Sequence, residues 1–255
     1  LNPFAVRVEL RPRSPFEVLD LACVLLRTTW RPMLTLAAIV LPLGGGLSWA
    51  LGMLGEDPWI ALPVVLLLTP MLQLPFLLLG GRALFEPEPG VRGVAHDLWT
   101  LRGAVVRFGL VVLMAELLLL ITVLLVSPAY MLLLFFSEAL LLERVDIGRA
   151  RSRSSRLVTA AAGRAWVGAI LLGLGMAWGM AVGELCGQAL VRDVLQLGEP
   201  FGSAMTGVFT PYALAGLLLS QPLAALYRLL LYVDIRTVTE GWDLQVALRA
   251  AAEGR

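Results

Sequence analysis

Long apolar runs recur along the chain, each bounded by charged or turn-forming residues. Six of them have or approach the length of about 20 residues that a helix needs to cross a hydrocarbon core. They cover residues 32–54, 59–79, 108–126, 129–142, 166–190 and 205–232. The fourth is short, and Ser127-Pro128 separates it from the third, so those two read as a hairpin, with a re-entrant pair as the alternative. Between the runs lie amphipathic stretches suited to the membrane interface. The clearest spans 14–29, where Ser14 is a good N-cap, Pro15 suits the first helical position and Glu17 completes a capping box. Phe16, Leu19, Ala22, Cys23 and Leu26 then recur at helical spacing. Residues 94–106 and 147–162 hold the equivalent places before the third and fifth runs, which suggests three units of an interfacial helix and a transmembrane hairpin. The expected fold is therefore all-α, a single polytopic transmembrane bundle over 1–255, with 1–31 and 233–255 flanking a six-span bundle at 32–232.

Composition agrees, because 58% of the residues are hydrophobic, 15% are charged and the mean hydropathy is +0.83. All twenty basic residues are arginine, and their placement predicts orientation through the positive-inside rule. Arginines cluster before the first run, between the second and third, between the fourth and fifth, and at or beyond the end of the sixth. Only Arg192 falls on the other side. Both ends should thus face the cytoplasm. Charge segregated by membrane side, with a net charge of +1, argues against nucleic acid as a partner. The first run follows an arginine-bearing segment with no small-residue cleavage site, so a cleaved signal peptide is not expected.

In lipid, helices associate through small residues that let backbones approach. Gly175, Gly179, Gly183 and Gly187 recur every four residues in the fifth run and predict one packing ridge, with weaker versions in the first run and the sixth. Ionisable groups inside spans are costly and need partners. The candidate intramembrane polar cluster is Gln73, Glu116, Glu138, Gln221 and Arg228, with Glu184 in the outer half of the fifth run. Glu138 and Arg228 can pair or snorkel. Pro63, Pro70 and Pro75 interrupt the second run and Pro222 the sixth, each removing a helix hydrogen bond. Arg149, Arg151, Arg153 and Arg156 form a basic segment that sets orientation or holds anionic headgroups. Cys23 and Cys186 should lie too far apart to bridge, and His96 lacks the neighbours of a metal site. No catalytic motif, cofactor loop or metal-ligand set is evident.

After the last run come Tyr232-Val233-Asp234-Ile235-Arg236 and Glu240-Gly241-Trp242-Asp243-Leu244. This tail resembles the closing signature of the membrane domain that precedes some bacterial glycerophosphodiester phosphodiesterases, and of that domain's stand-alone relatives. The basic segment from Arg149 to Trp166 and the layout of the runs are similar too. In those enzymes catalysis belongs to a soluble barrel after the membrane domain, so the resemblance implies a bacterial inner-membrane location and no hydrolase activity here. Read physically, Tyr232, Asp234, Arg236, Glu240 and Asp243 form a structural clamp, or else a docking surface for a cytoplasmic partner. Arg236 and Glu240 can pair if the helix continues, whereas Gly241 suggests a turn.

These readings point to a non-catalytic accessory or scaffold protein that organises a membrane complex or its lipid. The alternative is a transporter or lipid-translocating protein using the proline-broken second and sixth spans, with an intramembrane enzyme third. Expected partners are membrane lipid and other membrane or cytoplasmic proteins; no cofactor is expected, and the oligomeric state stays open.

Overall fold

The computed structural model describes residues 12–86, 89–121, 131–202, 204 and 207–241, the side chains of 116–121 excepted. Among these residues every regular element is helical. In chain order they are α1 (Pro15–Thr28), α2 (Trp30–Leu54), a 3-10 turn (Pro58–Ile60), α3 (Ala61–Ala83), α4 (Val91–Thr100), α5 (Arg102–Ile121), α6 (Phe136–Leu142), α7 (Ile147–Ala160), α8 (Ala162–Gln188, prolonged by a π turn over Ala189–Val194), α9 (Pro211–Leu219) and α10 (Gln221–Glu240).

Among the described residues four stretches are long and apolar enough to cross a membrane: Trp30–Leu54, Pro58–Ala83, Ala162–Val194 and Pro211–Glu240. A fifth is added if α4 and α5, bent by 77° at Leu101, count as one. Burial ranks them. In Pro211–Glu240 72% of the most apolar window is buried and in Ala162–Val194 only 11%, so α9 and α10 lie at the centre of the bundle and α8 at its edge. Chain neighbours α2 and α3 pack together, α3 and α8 both reach α10, α9 lies along α8, and α1 folds back onto α10.

The start of α1 follows from its cap. The Glu17 amide donates to Ser14 Oγ and the Ser14 amide to Glu17 Oε2, which satisfies two donors that a helix leaves open. The expected stripe is buried only in part, with Ala22 inside and Leu19 and Leu26 half-buried against the core. Val18, Ala22 and Leu25 pack inward, whereas Phe16 and Cys23 are exposed.

Two expected helices have different forms. Residues 132–135 make a turn and α6 has only seven residues, about 10 Å at 1.5 Å per residue, so 129–142 is not one continuous span. The physical reason is a side chain from elsewhere. Ser154 of α7 accepts from the Phe135 amide at 3.2 Å and donates to the Leu132 carbonyl at 2.7 Å, satisfying backbone groups that the broken ladder leaves open. The Ser127-Pro128 turn itself lies outside the described residues. In the second span the prolines do not interrupt the helix, since α3 runs through Pro70 and Pro75, as α2 runs through Pro42. Each costs one ladder bond, and buried neighbours hold the helix together. The last span does break, at Ser220, and Pro222 stands in the first turn of α10, where a missing N–H costs nothing.

Candidate functional site

Two polar groupings sit on the central helices. The first lies inside the bundle. Glu138, fully buried on α6, accepts from Arg228 Nε of α10 at 2.6 Å; Arg228 Nη2 donates to Ser137 Oγ at 2.7 Å, and that hydroxyl donates to Glu138 Oε2 at 2.8 Å. The guanidinium and carboxylate thus satisfy one another where water is scarce, and removing either would leave an uncompensated charge at a cost of about 3–5 kcal/mol. At the start of α10, about two turns before Arg228, Gln73 Nε2 of α3 donates to Gln221 Oε1 at 2.7 Å, and Gln221 Nε2 donates to the Leu217 carbonyl at 2.9 Å. Gln73 Oε1 is buried and has no partner among the described residues. A cavity of about 290 Å³ is found elsewhere, while one of about 270 Å³ adjoins this grouping, lined by Thr69, Gln73, Ser137 and Arg228 among apolar side chains. The side chain of Glu116 lies outside the described residues.

The second grouping gathers at one end of the bundle. Glu143, just after α6, takes an ion pair from Arg153 of α7, a hydrogen bond from the Tyr232 hydroxyl and a contact from Arg236 Nη1 at 3.3 Å. Glu240 receives Arg153 Nη2 at 2.7 Å and Arg236 Nε at 3.1 Å. Asp234 accepts from the Arg13 amide at 2.7 Å and from Arg164 Nη1 at 3.0 Å. Arg82 at the end of α3 donates to Asp97 of α4 at 2.6 Å and to Glu86 at 3.1 Å. Burial works against the charge of Arg153, but its bonds to Glu143 and Glu240 outweigh that and hold its pKa above the ordinary value.

The expected tail residues thus face the protein. Tyr232 and Asp234 are buried, α10 continues through Glu240, and Gly241 closes it in the left-handed conformation at φ 58°. Asp243 lies outside the described residues. Of the basic segment, Arg153 is engaged in the ion pairs, whereas Arg149, Arg151 and Arg156 are exposed. Ser137, Glu143, Ser154 and Arg164 were not singled out by sequence. Only Glu143, an acid at the edge of a run of arginines, carries a local signal.

On the glycine ridge, Gly179, Gly183 and Gly187 abut Ser220, Gly216 and Tyr212 of the α9 segment, whereas Gly175 faces open space. At the bundle's other end Glu184 accepts from Gln188, from the Ala204 amide at 2.8 Å and from the Thr210 hydroxyl. Trp59 Nε1 donates to the Gly207 carbonyl at 2.7 Å. Both cysteines are free and exposed, as is His96. Compared with known protein families, curated proteins and solved structures, the chain matches none.

Proposed function

We propose that the chain is a multi-pass protein of a bacterial inner membrane, crossing six times, the fourth time through the broken stretch that ends in the short α6, with both termini in the cytoplasm, and that it acts as a non-catalytic scaffold or accessory protein. One observation carries this reading. The N-terminal segment at Arg13, the α3–α4 connection at Arg82 and Asp97, the α6–α7 region at Glu143 and Arg153, and the end of α10 converge at one end of the bundle through ion pairs and hydrogen bonds, around a cavity lined by Arg82, Asp97, Glu143 and Arg236. Those are the arginine-rich connections that the positive-inside rule assigns to the cytoplasm. A face clamped by several carboxylate–guanidinium pairs suits a platform for other proteins or for lipid headgroups. The three exposed arginines Arg149, Arg151 and Arg156 extend it. The element order, with a short helix before each pair of longer apolar segments, supports three repeated units, α6 being the shortened member. The tail resemblance supports kinship with the membrane domain of the phosphodiesterases.

The cavity beside Gln73 and Arg228 favours a second reading, a transporter or lipid-translocating protein, because transporter sites combine broken helices with polar groups near the midplane. Thiol labelling separates the two. In a Cys23→Ser/Cys186→Ser background, Thr69→Cys and Ala169→Cys place a thiol in that cavity. A scaffold leaves both unlabelled by a membrane-impermeant reagent applied to either face of sealed vesicles. Labelling from both faces would replace the scaffold by a transporter.

A further inference from the structure

The charged end of the bundle contains a cavity of about 290 Å³, near the lower end of the range of about 300–1,000 Å³ typical of small-molecule sites. Leu78 of α3, Phe85 just after that helix and Leu229 of α10 contribute its apolar wall, while Arg82, Arg144 and Arg236 stand among its polar lining. The acids there are already engaged: Glu86 and Asp97 hold Arg82, and Glu143 holds Arg236. Arg144 differs. It is exposed and makes no ion pair or hydrogen bond among the described residues, and its backbone is left-handed at φ 54°. Glycine is the usual occupant of such a position after a helix, and a long side chain there costs roughly 1–2 kcal/mol. Strain of this kind collects where a side chain must be aimed for a task.

We propose that this cavity binds a phosphate-bearing amphiphile, with its head on the Arg144 guanidinium and the start of its alkyl chain against the Leu78, Phe85 and Leu229 wall. The shared chemistry is a phosphate ester. A lipid fits better than free phosphate, because a hydrated anion would leave the apolar wall in contact with water. A guanidinium without a carboxylate partner is free to give two parallel bonds to phosphate oxygens. The inference rests on the membrane reading of the chain but not on the scaffold role.

The test uses the full chain in a neutral maltoside detergent, with decyl phosphate, ethyl phosphate and inorganic phosphate as probes and calorimetric titration as the readout. Decyl phosphate should bind saturably, and ethyl phosphate and inorganic phosphate at least about tenfold more weakly, since each buried methylene adds to affinity. Arg144→Gly removes the guanidinium and relieves the backbone, so the variant should fold, and decyl phosphate should bind it about tenfold more weakly. Arg144→Lys should retain part of the affinity, and Arg149→Ala, at an exposed position on α7, all of it. Undiminished binding to Arg144→Gly overturns the site. Equal binding of inorganic and decyl phosphate overturns the lipid assignment, and an equal loss in Arg149→Ala would mean diffuse surface attraction in place of a site. None of these outcomes depends on thiol labelling in the central cavity, so failure here and failure of the scaffold reading are told apart.

Discussion

A Cβ added at Gly183 would stand 2.5 Å from Gly216 Cα and 2.6 Å from the Tyr212 carbonyl oxygen. These are backbone atoms and cannot swing aside. At Gly175 the same atom would meet nothing within 4 Å. Gly183→Ala should therefore lower stability by about 1–3 kcal/mol through overpacking, whereas Gly175→Ala should be neutral or gain up to about 1 kcal/mol from better helix propensity. Thermal unfolding in detergent compares them, and equal midpoints for Gly183→Ala and wild type would refute the close approach. The four-residue spacing made the stripe readable in the sequence, but not its length. Gly179 meets Ser220 and Gly187 meets Tyr212, so α9 covers only the part of α8 opposite residues 212–220, and Gly175 lies beyond it. The pairing of Glu138 with Arg228, 90 positions apart, was open to sequence reasoning as two charges that each needed a partner. The role of Glu143 was not, because its partners Arg153, Tyr232 and Arg236 come from two other elements.

Elements were legible where their determinants are local. Ser14, Pro15 and Glu17 mark the start of α1 within four residues, and the structure makes both capping-box bonds. The face of α1 was less legible, because an apolar stripe at an interface can meet the bundle or the lipid, and periodicity does not distinguish them. Val18, Ala22 and Leu25 take the bundle side, and Phe16 the other. The break before α6 had no local determinant at all, since the hydroxyl that sustains it lies 19 positions from Phe135. That dependence can be measured. Ser154→Ala would leave the Phe135 amide and the Leu132 carbonyl without this partner in a buried setting, at a cost of about 1–3 kcal/mol. Ser154→Thr keeps the hydroxyl and should recover part of the loss. If Ser154→Ala unfolds at the wild-type temperature, the serine is not what holds the turn.

Across the whole molecule, Asp234 joins the N-terminal segment to α8 and α10, through the Arg13 amide and the Arg164 guanidinium. Arg164 Nη1 also donates to the Arg13 carbonyl at 3.1 Å, so a single carboxylate organises both sides of the junction. Asp234→Ala should expose the Arg13–Ser14 bond to trypsin several-fold more than in wild type, with a smaller effect from Arg164→Ala. An unchanged cleavage rate in Asp234→Ala would remove the junction's role. The same contact has a consequence in time. Arg13 and Asp234 are 221 positions apart, and α1 finds its main packing surface on α10. During synthesis α1 leaves the ribosome first, yet its seat does not exist until almost the whole described chain has followed. Closure of α1 onto α10 is therefore a late step of assembly, because its two faces come from opposite ends of the described chain.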